Sequence, residues 1–416
     1  MLKAIRALGR QAKAPLNNQR GIALMMAMAC IMLILYFAME VSYDSNVEYI
    51  VNSQNLNRVK AYYAAKSGMQ LSLLRIKIYQ QASTKFASML GSNSALLQEI
   101  WRFPFAWPLP IPPELNAVDK ESFTDATKES MMDASYLVTI EDEGSKIDLN
   151  DLNSPSKALR ESTKNQLLGI FQQKIKEDEV FARAYGQTRF DELINSIQDW
   201  MTPRATSGNG GSKQALYNQV NQAAQTDYYP PNRAFRTLGE LHMIPGMIDV
   251  FYELLEPRVT IYGMKGINPN LATKEVLKSL DVGMTDEVVA EVIKRRDDTN
   301  LGGPYKDAAD FWTFVQQKGA RLEGKTEEVP LIFESATNFK IRSTGEFAGA
   351  TREIIAMVMD LNKTATKVKA MVDKEKAAAN PGASPSPSPS PSPGGGAKTP
   401  TAPTKGPPRI VYWNER

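Results

Sequence analysis

The sequence predicts an α+β fold. One long N-terminal helix comes first, a small antiparallel sheet is split into early and late strands, and a large all-α region is inserted between them. Three observations carry this. From Glu40 to about Gln81 there is no proline and only one glycine, Gly68, while Val47, Val51, Val59, Tyr62, Met69 and Leu73 recur at roughly helical spacing. Alternating apolar and polar residues begin at Ser135 and return near Phe339 and Thr351. Between them, Leu167, Leu168, Ile170, Phe171, Ile175, Val180 and Phe181, then Leu193, Ile194 and Ile197, follow the helical period.

The first helix starts inside an apolar run. No residue from Gly21 to Met39 is charged. That length is close to the ~20 residues a helix needs to cross the roughly 30 Å hydrocarbon core of a bilayer. Lys3, Arg6, Arg10, Lys13 and Arg20 precede it with no acid among them, and Glu40, Asp44 and Glu48 follow. This asymmetry puts the N-terminus in the cytoplasm and the bulk of the chain on the far side. The run is long for a secretory h-region, and no small-x-small cleavage site leads into a polar mature start. The spacing beyond it predicts that the membrane helix continues unbroken to about Gln81.

Composition narrows the function classes. The net charge is +3, yet the leader alone carries five cations, so the remainder is near neutral or slightly acidic. This argues against a generally basic, nucleic-acid-binding body. The sole cysteine, Cys30, lies within the apolar run, which excludes an intrachain disulfide and a cysteine-based metal centre. The sole histidine, His242, precedes Met243-Ile244-Pro245-Gly246 and reads as a helix-end residue rather than a catalytic base. No nucleophile, base and orienting group are assembled by the pattern, so a tethered hydrolase is disfavoured.

The later segments follow in order. Trp101 to Pro113 holds five prolines in thirteen residues, which excludes helix and central strand and predicts an extended aromatic loop. Such a loop can bind a partner but more often packs on its own domain. Ser135 to Asn150 reads as two strands joined at the turn around Gly144, with Glu141, Asp142 and Glu143 as turn polarity rather than acid-base chemistry. The helical region then contains Asp199-Trp200, the glycine-rich loop Ser207 to Gly211, and Thr237-Leu238-Gly239-Glu240-Leu241. A second helical unit opens at Gly266, with Thr273 or Asn270 able to N-cap its first helix. Phe333 to Ser335, Phe339 to Phe347 and Thr351 to Asp360 read as returning strands. From Lys363 the chain is Lys/Ala-rich, then Ser-Pro repeats run from Ser384 to Pro393, which predicts an extended mobile linker. Ile410-Val411-Tyr412-Trp413 has the look of a last strand.

A basic leader ending in glycine directly before the membrane helix resembles a type IV prepilin-like leader. The resemblance implies cleavage by a prepilin peptidase between Gly21 and Ile22, with Ile22 methylated. That family usually has glutamate at the fifth mature position, where this chain has Met26. The K-type minor pseudopilin of type II secretion systems typically lacks that glutamate. Further features are similar to the K type: the small-residue patch Ala61 to Gly68 (with Lys66 where an acid is common), the 135–150 pattern, the order of the helical motifs, and the short aromatic end strand. The region after Gly266, and more weakly Ile244 to Met247, is similar to SAM-like or helix-hairpin-helix repeats. In the family, acids after the Asp-Trp pair and in the loop beyond are associated with calcium. Here Met201-Thr202-Pro203-Arg204 follows Trp200, which leaves Asp199 and Asp227 as weak calcium candidates.

The resemblance divides the chain into a leader (1–21), the transmembrane half of a long helix (22–43), its periplasmic part (44–100), the first part of a pilin-like sheet domain (101–156), an inserted helical SAM-like domain (157–263), a second hairpin-like unit (264–328), returning strands (329–362), a disordered linker (363–407) and a terminal strand (408–416). The implied function is that of a non-enzymatic minor pseudopilin capping the tip of the secretion pseudopilus in the inner membrane. Its implied partners are the other minor pseudopilins of the tip complex and the prepilin peptidase, with no nucleic acid expected. The competing reading is a membrane-anchored DNA-uptake receptor, whose hairpins would offer backbone amides to phosphate. Its turns here, Pro245-Gly246-Met247 and Val282-Gly283-Met284, lack the second glycine, and Asp297-Asp298 offset Lys294-Arg295-Arg296.

Overall fold

A single helix of 72 residues, α1 (Gln19–Leu90), spans about 108 Å at 1.5 Å per residue. It belongs to a computed structural model that describes residues 19–90, 97–109, 132–322, 336–379 and 409–416, with 121, 125, 129–130, 326 and 329–333. The leader from 1 to 18, Pro110–Pro113, Glu334-Ser335 and the linker from 380 to 408 lie outside the described residues. The helix runs past the expected end near Gln81 because 82–90 contain neither proline nor glycine, and Gly91 comes next. Among the described residues one helix is long and apolar enough to cross a membrane, and it is this one. Leu24, Met25, Ile34 and Phe37 in its first turns stand exposed.

From Ala61 onward the same helix has a buried face. Ala61, Ala64, Ala65, Met69, Ile76 and Tyr79 repeat every three or four residues and lie against a five-stranded sheet. The sheet order is β1-β2-β5-β6-β7, all antiparallel: β1 (Phe105–Trp107), β2 (Ser135–Asp142), β5 (Phe339–Phe347), β6 (Ala350–Met359) and β7 (Arg409–Glu415). In register, Val138 faces Ser343 and Ser343 faces Ile354. The small residues of the helix permit this closeness. A Cβ added at Gly68 would stand 2.6 Å from Ser343 Oγ and 2.7 Å from Val138 Cγ2. Tyr79, Trp101 and Phe339 interlock edge to face, with ring centroids 5.2 to 6.1 Å apart. The start of the aromatic segment therefore packs on its own domain, with Trp101 inside the short helix α2 (Glu99–Arg102), and Phe105–Trp107 form an edge strand, where an extended loop was expected throughout.

The run after Gly144 does not fold back on β2. Ile147–Asp148 form β3, which pairs in parallel with β4 (Val259–Thr260), and the Ile147 amide donates to the Arg258 carbonyl at 3.0 Å. The entrance and exit of the first helical unit are thus zipped together. That pairing joins residues over a hundred positions apart, beyond the reach of local alternation.

Between β3 and β4 lie α3 (Lys157–Glu177), α4 (Glu179–Tyr185), α5 (Phe190–Met201), α6 (Lys213–Ala224) and α7 (Asp249–Leu255). Ser156, Asp178 and Ser212 N-cap α3, α4 and α6. Phe171 stacks on Phe190 at 4.2 Å and meets Phe251 edge on. The second unit holds α8 (Lys274–Lys278), α9 (Asp286–Asp297) and α10 (Ala308–Gln317) around Val276, Val289 and Phe311. Thr273 caps α8, while Asn270 instead bonds the backbone of Tyr305 in both directions.

One expectation is corrected outright. The linker does not begin at Lys363, because Leu361–Ala379 form a helix, α11. The Lys/Ala composition read as core-less is also strongly helix-forming, with no proline before Pro381. A helix without an apolar core contact can still be held at one point, and Glu375 supplies it. Its carboxylate accepts from Ser156 Oγ at 2.5 Å, Lys157 N at 3.0 Å and Ala158 N at 2.9 Å, closing the open end of α3.

Candidate functional site

The processing candidates Gly21 and Ile22 follow one another on the exposed first turn of α1. Met26 is 62 % exposed one turn on. No carboxylate lies between Gly21 and Met39, so this stretch offers a membrane only apolar surface.

Asp199 and Asp227 have different surroundings. Asp199 is buried on α5 and committed to the following loop: Ser207 Oγ donates to Oδ2 at 2.6 Å, and the Gly208 amide donates to both oxygens at 2.9 and 3.1 Å. Asp227 is exposed beyond α6. A third residue dominates the space beneath the loop. Lys213, 4 % exposed, donates from Nζ to the Thr202 carbonyl at 2.5 Å and to Asn232 Oδ1 at 2.8 Å. Burial pushes its pKa below the ordinary lysine range, and the charge of Asp199 works the other way. Among the described residues no group of three or more His, Cys, Asp and Glu is arranged to hold a metal. Calcium asks for six to eight oxygens, and an ammonium already sits on two of those available.

The most strongly coupled charges lie where the sheet meets the helical units. Lys265 Nζ is 2.6 Å from both Asp148 Oδ2 and Asp151 Oδ1. Burial, reinforced by the charge of Asp148, pushes Asp151 up to about 7 against the pull of Lys265. Burial opposes the charge on Lys265, but the two carboxylates hold its pKa above the usual range. Nearby, burial raises Asp142 to about 6, and its Oδ2 accepts from the Ser145 amide. Glu143 joins Lys146 at 2.9 Å and Thr260 Oγ1 at 2.9 Å. Asp142 and Glu143 therefore belong to the joint, while Glu141 is exposed on β2. Sequence reading missed Lys265, Asp148 and Asp151, since only the fold brings them together.

His242 lies in the last turn of a 3₁₀ helix (Leu238–Met243), sits on the Tyr252 ring at 4.1 Å and has Asp249 3.6 Å away. Trp200 of the Asp-Trp pair donates to Glu240 Oε2 at 3.0 Å, which ties α5 to that turn. Three of the groups that would bind phosphate in a DNA receptor are engaged internally, while Lys294 is exposed. The Gly283 amide donates to Asp281 at 2.7 Å. Arg295 pairs with Asp310 at 2.5 Å and lies over the Tyr305 and Phe314 rings. Arg296 is 9 % exposed and donates to the Ala272 carbonyl. Both arginines hold the second unit together instead of facing a ligand.

A membrane-length helix laid on a small antiparallel sheet, with helical units inserted between β3 and β5, is the build of a pilin-like subunit carrying an unusually large insertion. Residues 145–264 and 267–330 match the two domains of the family described as type II secretion system (T2SS), protein K. These two segments carry both domains of that family, which bears out the resemblance to a K-type minor pseudopilin of type II secretion systems. The first matched segment encloses the β3–β4 pair, and the second starts at Ile267 and stops one residue short of its parallel-bridge partner Leu331. One solved structure similar to this chain is the GspK-GspI-GspJ complex from the enterotoxigenic Escherichia coli type 2 secretion system. The match has 16 % identity and a TM-score of 0.48, and covers 76 % of this chain and 95 % of the other. A comparison with curated protein sequences finds no match.

Proposed function

We propose that this pseudopilin caps the tip of the secretion pseudopilus as a structural part without catalytic work. The observation that carries the proposal is Met26 together with the bulk of the helical units. A subunit in the body of such a fibre uses its fifth-position carboxylate to neutralise the N-terminal amine of a neighbour, and Met26 offers no charge for that. The region from 157 to 328 is too bulky to repeat at the tight spacing of a helical fibre. Fibres grow outward from the membrane, so a subunit suited only to an end is carried at the leading end.

In this reading the N-terminus stays in the cytoplasm, α1 crosses the inner membrane, and the sheet and helical units lie in the periplasm. Prepilin peptidase cuts after Gly21 and methylates Ile22. The partners are other minor pseudopilins, met along the stretch of α1 where Val47, Ile50, Val51 and Leu56 remain exposed. The test is made in the bacterium that carries the system. Without this chain, secreted proteins should accumulate in the periplasm. Wild type should restore export with Ile22 as the mature first residue by mass spectrometry, and Gly21→Val should remain uncut and inactive. Normal export without the chain, or a different mature start, contradicts the reading.

A further inference from the structure

We infer that Lys213 is a built-in cation: its ammonium takes the place of a bound metal ion in holding together the segment from Thr202 to Asn232, so that this segment is calcium-independent. The ammonium and the two oxygens it organises come from three separate parts of the chain. Thr202 follows the end of α5, Lys213 opens α6, and Asn232 lies beyond α6. Each is fixed by the backbone. The Lys213 amide donates to the Ala205 carbonyl at 3.0 Å, and the Asn232 amide donates to the Trp200 carbonyl at 3.2 Å, with Asn232 at φ +53°. A carbonyl and a side-chain amide oxygen converging on one buried centre, with a carboxylate close by, is an arrangement a hard cation would use. Here the centre is a nitrogen of the chain itself.

Charge balance points the same way. Asp199 is the single carboxylate among these groups, and its oxygens already accept from Ser207 and Gly208. One buried negative charge is matched by one buried ammonium. A divalent ion added beside that ammonium would face like charge with no second acid, since Asp227 is exposed. The remaining buried oxygens, the hydroxyls of Thr202 and Tyr217, have no hydrogen-bond partner and carry no charge. They do not make up the six to eight ligands that calcium takes.

The experiment is a thermal melt of the full chain in detergent, with EGTA or with millimolar calcium chloride. The melting temperature of wild type should be the same in both. Lys213→Met should melt lower by about 5 °C in both, the scale expected when a buried charge-assisted contact is lost from a domain of this size. A calcium-dependent rise in the wild-type melting temperature, or a Lys213→Met protein as stable as wild type, overturns the inference. If Lys213→Met does not fold, amine acetylation of wild type followed by mass spectrometry decides in its place. Lys213 should stay unreacted while exposed Lys157 and Lys294 react, in EGTA as in calcium. Labelling of Lys213 at the exposed rate in EGTA, with protection by calcium or without it, contradicts the account.

Discussion

Gly345 of β5 faces Ala65 of α1 so closely that a Cβ built on the glycine would lie 2.5 Å from the Ala65 amide nitrogen and 2.1 Å from the Ala61 carbonyl oxygen. Beside it Ser343 Oγ donates to the Ala65 carbonyl at 2.7 Å. The helix and sheet of this pseudopilin therefore touch backbone to backbone. Gly345→Ala should cost about 2 to 3 kcal/mol, because backbone must move to admit one methyl group. Gly68→Ala meets only side-chain atoms of Ser343, Val138 and Tyr136, which can turn aside, and should cost less. Denaturant melts of the two variants check the order.

The contact of Glu375 with the start of α3 is pH-dependent in a definite direction. Hydrogen bonds from Ser156, then from the amides of Ala158 and Lys157, hold its pKa below the ordinary glutamate value. Its contribution is present above the unfolded pKa of about 4.3 and is lost as pH falls through the lower folded value. Glu375→Gln should destabilise the chain by about 1 kcal/mol at pH 7, in the range of an N-cap loss. The difference from wild type should shrink as pH falls below about 4.3 and on through the lowered folded value. A difference unchanged down to pH 3 would contradict the contact.

Asp151 behaves in the opposite sense. Its folded pKa of about 7 lies above the unfolded value of about 3.9, so the stability it contributes is complete below about pH 3.9 and is lost as pH rises through 7. Asp151→Asn should flatten the pH dependence of stability between about pH 4 and 7 with little loss at pH 7. Lys265→Met should cost about 3 to 5 kcal/mol at pH 7, since it leaves Asp148 and Asp151 buried without their cation. Melting curves at several pH values for both variants test this pair of outcomes.

How far the sequence revealed this depended on the range of each interaction. Ala61, Ala64, Ala65 and Gly68 repeat along one helix face, so the sheet-facing patch could be read locally. The alternation in 135–142, 339–347 and 351–359 gave three of the five strands, and the aromatic run at 410–413 gave the last. Phe105–Trp107 could not be read as a strand, because the flanking Pro104 and Pro108 suit only an edge, and an edge is known only once its neighbour is placed. α11 was missed because composition alone described Lys363 onward as material with no core, while its anchor, Glu375, contacts residues more than 200 positions earlier. Lys213 and Lys265 carry no local signal. Each is an ordinary lysine until the fold buries it among oxygens. The site candidates fared differently. Asp199 proved a loop-closing residue, and Asp227 lies at the surface.

The central claim, one copy at the leading end of the fibre, is tested most directly by counting. Pseudopili carrying a tagged version of this chain should be purified, gold-labelled and counted against the major subunit by quantitative blotting. The account predicts one label per fibre, at one end, with Met26→Glu leaving that number nearly unchanged. Label spread along the shaft at near stoichiometry with the major subunit would contradict it.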